Sequence, residues 1–304
     1  MKTTTYSDYR KRLFECLARV KNWDEEGVWC RNGKCTKFAH ILPLSYDMNS
    51  AANRANAIKK FLGLDCAKYL GPKLIGLHQY AHHLNSSQTL CIQFFSALID
   101  GNYPHLTAKH ELVELLKSIG ITIHTGAECK FEYKEKHKKE YTFAIHNNEG
   151  KYEGTSFDFY IKDNDIEVFF EIKFTEDGFG KASKNINHPE EEKRHKEKAE
   201  QYKKLLLNPE RIISLKQEPT VDDILTYYQL FRNIIRVGEN KYVVFITDEN
   251  NHSTEIDKEN FKEKFGEPKN VVFLTWQKIR EKAGAIYPGE LPFQFDAFSA
   301  PLVK

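Results

Sequence analysis

The chain has 304 residues, enough to bury a sizeable core as one large domain or two small ones. Hydrophobic residues make up 40% and charged residues 29%, with 21 Phe and 15 Tyr, a composition that excludes global disorder and describes a soluble globular protein. The formal net charge is only +2, so a nucleic-acid partner is not announced by the total and has to be argued from local clusters. The longest apolar stretches, such as Val168–Phe170 and Tyr242–Ile246, are strand-sized, and Met1 to Arg12 is too polar for a secretory signal; no membrane association is expected. Cys16, Cys30, Cys35, Cys66, Cys91 and Cys129 are scattered, unlike a secreted disulfide framework, so the expected compartment is a reducing cytoplasm.

In chain order, Tyr6 to Val20 has helical spacing, with Tyr9, Leu13, Leu17 and Val20 on one stripe. Val28 to Phe38 alternates around Asn32-Gly33, a strong hairpin signal. Ala51 to Leu62 and Thr89 to Leu98 read as helices. Thr107 is placed to cap a helix running to about Ile119, which Gly120 ends. Strands follow at Glu128–Tyr133, Tyr141–His146, Thr155–Ile161 and Glu167–Phe174. A polar helix starts at Pro189, where proline suits the first turn and Glu190 to Glu192 suit the positive helix end. Thr220 with Asp223 makes a capping signature for a helix to about Arg236, and strands Tyr242–Thr247 and Val271–Thr275 close the pattern. The expected fold is α/β (α+β), a mixed sheet flanked by helices. The expected division is a helix-rich region over 1–105 and a core over 106–304.

The stretch from Thr155 to Glu176 carries the chemistry. Read as a hairpin turning at Asp163–Ile166, it pairs Lys162 with Glu167 and sets Asp158 opposite Glu171. Side chains alternate along a strand. Phe157, Phe159 and Ile161 are thus expected on one face with Asp158 on the other. On the return strand, Glu171 and Lys173 point opposite to Phe170 and Ile172. Two carboxylates and an ammonium on neighbouring strands suit phosphodiester hydrolysis: hard oxygen ligands hold Mg²⁺, and a lysine orients water and offsets charge on the phosphate.

Asp158, twelve residues, then Glu171-Ile172-Lys173 resembles the D…(D/E)XK signature of the PD-(D/E)XK, restriction-endonuclease-like phosphodiesterases. Phe157 stands where proline often precedes the aspartate. The segments His83-Leu-Asn-Ser-Ser-Gln88, Phe157-Asp-Phe, Phe170 to Glu176, Phe179-Gly-Lys181 and Tyr228-Gln-Leu-Phe-Arg232-Asn resemble a bacterial group of such proteins, over about residues 75 to 250. The resemblance implies a restriction-endonuclease-like fold and Mg²⁺-dependent cleavage of DNA, with Mn²⁺ able to substitute. It implies metal ligation by Asp158, Glu171 and the Ile172 carbonyl, with Lys173 assisting the nucleophile. The family often adds a helical glutamate, and Glu111, beside the stripe of Ala108, Leu112, Leu115 and Ile119, is the expected one; Glu114 points farther out. A repair or RNA-directed nuclease, or an inactive DNA-binding module, remains open on the same fold.

Gln229, Arg232 and Arg236 share one side of the Thr220–Arg236 helix and are candidate phosphate contacts, or simply its solvated face. Lys181 and His83 are further substrate-side candidates. The lysine-rich runs Lys134–Lys139 and Lys181–Lys204 are interspersed with glutamates and read equally as solvated surface. Cys30 and Cys35 flank the Asn-Gly turn; with His40, His78, His82 and His83 they offer zinc ligands, though no second cysteine pair follows. No phosphate loop or dinucleotide fingerprint is present, so no nucleotide cofactor is expected. Cutting both strands of a duplex takes two active sites, so a homodimer is expected.

Overall fold

Tyr9, Leu13 and Leu17, each four residues apart, bury one stripe of α1 (Tyr6–Val20), which Thr5 and Asp8 start with a reciprocal capping box. This is the first element of the computed structural model, which describes residues 5–21, 23–31, 34–44, 50–74, 76–134, 155–182, 189–209, 212–284 and 286. Next come β1 (Gly27–Arg31) and β2 (Lys34–Phe38), the expected hairpin, then α2 (Ala51–Leu62), α3 (Cys66–Leu70) and α4 (Ser87–Ser96). They are followed by β3 (Ile99–Asn102), β4 (His105–Ala108), α5 (His110–Lys117), β5 (Glu128–Lys134), β6 (Ser156–Asp163) and β7 (Ile166–Ile172). The described chain continues through α6 (Pro189–Leu206), α7 (Val221–Thr226), α8 (Tyr228–Ile234), β8 (Lys241–Thr247), α9 (His252–Phe265), β9 (Val271–Thr275) and α10 (Trp276–Ala283). The strand expected at Tyr141–His146 lies outside the described residues.

Among the described residues, seven strands form one sheet in the order β3-β4-β5-β6-β7-β8-β9. Pairing is antiparallel from β3 to β7 and parallel from β7 to β9. This is the mixed α/β architecture that the pattern predicts, compatible with a restriction-endonuclease-like core. Helices cover both faces. On one, α1, α4 and α5 pack on Phe159, Phe170, Ile172 and Val244; on the other, α6, α8 and α9 pack on Phe169, Val243 and Phe245. Phe95 of α4 stacks on Phe159 with centroids 4.1 Å apart. Burying each such ring is worth about 1.5–3 kcal/mol before pair geometry is counted. The first core runs without a break from Tyr9 through Leu90 and Phe170 to Trp276, so the N-terminal helices and the sheet share one apolar interior. Among the described residues no helix is long and apolar enough to cross a membrane.

Several expectations are corrected. Thr107 does not cap a helix: it is a strand residue of β4, paired with Asp100 and Glu128, and α5 starts at His110 without a side-chain cap. A β-branched threonine between two partner strands gains more from the ladder than from capping. Gly120, at φ +84, does follow the helix end. The helix expected from Thr220 to Arg236 is broken at Tyr227 (φ −107, ψ 41), although Thr220 and Asp223 form the predicted capping box. In an unbroken helix the Gln229 N–H would donate to the Leu225 carbonyl. Here Ala182 N–H donates to that carbonyl at 2.9 Å and Gln229 N–H donates to Gly180 O at 3.4 Å. The segment 180–182 docks into the break and satisfies both groups. Cys35 is disulfide-bonded, a departure from the expectation of reduced thiols, while Cys16, Cys66, Cys91 and Cys129 are free.

Candidate active site

The hairpin register is as the sequence predicts: Lys162 pairs with Glu167, and the ladder ends at Phe159↔Phe170, one step short of Asp158 and Glu171. Where the ladder stops, the Asp158 side chain takes over, its Oδ2 accepting the Ile172 N–H at 2.7 Å. This break also corrects the expected facing. Phe159 and Ile161 lie in the first core, but Phe157 lies in the second with Tyr160 and Phe169. Strict alternation fails at Asp158 because its carboxylate, rather than its backbone, bonds to β7.

Glu171 and Lys173 are 5% and 8% exposed, and their charged ends meet at 2.9 Å. A buried carboxylate is stable only if its oxygens are paired. Glu171 Oε1 also accepts from Gln229 Nε2 at 2.5 Å, and Oε2 accepts from Asn233 Nδ2 at 3.1 Å. Both donors project from α8, one turn apart. The docking of 180–182 sets that turn: Gly180 adopts φ +78, and a Cβ there would meet Gln229 Oε1 at 3.0 Å.

A third carboxylate joins the group. Phe131↔Phe159 and Tyr133↔Phe157 bracket Glu132 across from Asp158, and Glu132 takes a left-handed φ of +48. Gln88 Nε2 of α4 donates to Glu132 Oε1 at 2.6 Å. Burial, then the charges of Glu171 and Glu132, pushes the Asp158 carboxyl well above the ordinary range. Burial raises Glu132 to about 7, against the help of Gln88 and with Glu171 adding to the rise. Burial opposes the Lys173 ammonium, but Glu171, Glu176 and Asp158 outweigh it and hold Lys173 above its usual value. Three acids therefore face one base in a low-dielectric pocket.

The other sequence candidates divide. Gln229 reaches Glu171. His83 lines a cavity that Asp158 and Glu132 also line. Arg236 is buried and donates to the Arg232 carbonyl, while Arg232 is half-buried beside it. Lys181 is exposed and its charge acts on Asp257 of α9. Glu111 sits on α5, which packs against β4, and is not among the residues lining that cavity. The helix at the site is α4, through Gln88. Sequence reasoning missed Glu132 and Asn233. Both had a signal: Phe131-Glu132-Tyr133 repeats the aromatic–acid–aromatic pattern of Phe157-Asp158-Phe159, and Asn233 is one helical turn beyond Gln229.

Asp158, Glu171 and Glu132 are hard oxygen donors whose surplus negative charge a divalent cation would offset. Among the described residues no group of three or more His, Cys, Asp or Glu side chains is already gathered as a metal site, zinc included. The carboxylates are instead satisfied by Lys173, Gln229, Asn233, Gln88 and the Ile172 N–H.

A mixed sheet flanked by helices, with an acid–acid–lysine patch where an antiparallel strand pair meets a parallel one, is compatible with the restriction-endonuclease-like class of core. No curated protein and no solved structure matches the chain. The chain belongs to the family described as Restriction Endonuclease associating with ARP, whose model matches residues 24–292. That family carries a nuclease role.

Proposed function

We propose that this chain is a divalent-metal-dependent endodeoxyribonuclease of the PD-(D/E)XK kind, acting in a restriction system. The observation that carries the reading is the buried Glu171–Lys173 pair beside Asp158, whose carboxyl is pushed well above the ordinary range by burial and by the neighbouring acids. Asp158 and Glu171 would hold the ion, with Glu132 as a third donor and the Ile172 carbonyl as the resemblance implies. Bound there, Mg²⁺ or Mn²⁺ supplies polarisation of the scissile phosphate and an acidified water. Gln229 and Asn233 fix Glu171 so that its oxygens need not reorganise. Lys173, kept as an ammonium by three carboxylates, orients the water and offsets charge growing on the phosphate. Duplex cleavage by one centre per chain makes a homodimer the working unit, with residues 1–105 serving DNA recognition or that dimer contact. The family description names ARP as an associate, and ARP is accordingly the partner we propose.

The test is plasmid cleavage by the full chain with Mg²⁺, Mn²⁺ or EDTA. Cleavage is expected with either ion and not with EDTA. Asp158→Ala, Glu171→Ala and Lys173→Ala are each expected to lower it at least ~10²-fold, the scale of single groups in such sites, with DNA binding kept. Wild-type cutting by all three variants, or none by the parent chain on any nucleic acid, overturns the reading.

A further inference from the structure

Beside the carboxylate patch lies a cavity of about 620 Å³, within the ~300–1,000 Å³ of small-molecule sites. Asp158, Glu132 and Glu176 form its acidic side, and α1, β2 and the 78–88 segment form the rest. Its chemistry is aromatic. Phe14 and His40 stack with centroids 4.0 Å apart and planes 10° from parallel, and Tyr80 leans on His83 at 5.3 Å. His40 and His83 are both pulled down to about 4, mainly by burial, so they are neutral imidazoles at neutral pH.

Two polar atoms in this wall lack protein partners. His83 Nε2 is buried with no hydrogen bond, and so is Asn85 Oδ1, whose own Nδ2 donates to Thr175 Oγ1 at 2.9 Å. A buried polar atom left unmatched is costly and points to a ligand or water. The charge balance says which ligand chemistry suits. Arg10 is the cation of the lining, against the carboxylates of Glu132, Asp158 and Glu176. Arg10 also lies 5.2 Å from the centre of the Phe14 ring. A phosphate would find one guanidinium among three acidic groups there. A flat, neutral ring with donors and acceptors on its edge would meet aromatic walls and, beneath the surface, two unmatched hydrogen-bonding atoms. Aromatic stacking of this kind holds single bases without regard to sequence.

We propose that this cavity takes one unstacked nucleobase of the DNA strand, from a nucleotide within two positions of the phosphate that the carboxylate patch attacks. The inference rests on the nuclease reading above, since Asp158 and Glu132 belong to both sites. Phe14, His40 and Tyr80 provide the stacking surface, and His83 and Asn85 read the base edge.

The experiment is a double-mutant cycle between protein and DNA, with the full chain and an oligonucleotide carrying the mapped cleavage site. Affinity is measured by fluorescence anisotropy in EDTA. An abasic nucleotide replaces, in turn, each position within two of the scissile phosphate. The protein partners are Phe14→Ala, His83→Leu and Asn85→Leu, each checked for a wild-type melting temperature. The last two keep the proposal testable if Phe14→Ala does not fold. The expected result is one position at which base removal and the variants are coupled by ~10-fold or more in affinity. Coupling within twofold at every position, in a protein that still cleaves, overturns the base subsite and leaves the nuclease reading intact. Absence of cleavage on any nucleic acid overturns both.

Discussion

Asn233→Leu tests the claim that α8 holds the Glu171 carboxylate. Asn233 is fully buried, and its amide donates to Glu171 Oε2 at 3.1 Å, while its own oxygen accepts from Thr155 Oγ1 at 3.4 Å. Leucine has the same number of side-chain heavy atoms, so the substitution removes hydrogen bonds without opening a cavity. A hydrogen bond to a charged group is worth about 1.5–3 kcal/mol, and the long contact with Thr155 adds at most about 0.5. Lys173 and Gln229 still hold Oε1, so Glu171 loses only its second anchor. The expected destabilisation is therefore ~2–3 kcal/mol, read by urea unfolding in EDTA at pH 8. If the transition state leans on that anchor more than the ground state does, by half of this energy (~1–1.5 kcal/mol), turnover falls ~5–12-fold. Asn233→Asp sets carboxylate against carboxylate and should cost more than N233L at that pH. Wild-type stability and wild-type cleavage by N233L would refute the claim that Asn233 positions Glu171.

Three further outcomes follow from the same geometry. Gly180→Ala places a side chain at φ +78 and 3.0 Å from Gln229 Oε1; a loss of ~1–3 kcal/mol with reduced cleavage is expected, and an unchanged melting temperature would contradict the docking of 180–182 into the α7–α8 break. Glu132→Gln should lower cleavage at least ~10-fold while Glu111→Gln leaves it near wild type; the opposite ranking, read from initial rates at fixed Mg²⁺, would return the third ligand to α5. His82 is 4% exposed and its pKa is lowered to about 3, chiefly by burial. The unfolded chain, with a histidine near 6.5, then binds the proton first, so this contribution to stability is full above pH 6.5 and is lost as pH falls toward 3. His82→Leu should flatten the stability profile over pH 6.5–4 by at most about 1.4 kcal/mol per pH unit, and parallel profiles would show that the imidazole is not held neutral.

The parts of the fold that local chemistry decides were legible. The Thr220-Asp223 cap, the pairing of β1 with β2 and the Lys162–Glu167 register follow from nearest neighbours in the chain, and they hold. What escaped depends on partners far away in sequence. Thr107 reads as a cap until β3 and β5 claim it as a strand. The Thr220–Arg236 pattern reads as one helix until Gly180 and Ala182 dock into it. The weakly amphipathic α9 and the α10 that follows β9 were not anticipated. In the site, Asp158, Glu171 and Lys173 come together because two adjoining strands carry them. Glu132 and Asn233 join from a third strand and a helix, and neither position is fixed by the motif itself. Glu111, read from a helical wheel, lies on α5 against β4, a placement that the wheel could not supply.

The segment just after Lys173 is held by the first helix: Tyr6 donates to Thr175 O at 2.5 Å, and Tyr9 donates to Phe174 O at 2.9 Å and to Asp248 at 2.8 Å. These contacts close loops of 165 to 239 residues. Fraying of α1 would therefore slacken the backbone next to Lys173, although the helix residues involved lie 165 to 169 residues earlier in the chain. The first helix thus works as a clasp on the strand end that carries Lys173, and not as an appendage to the sheet.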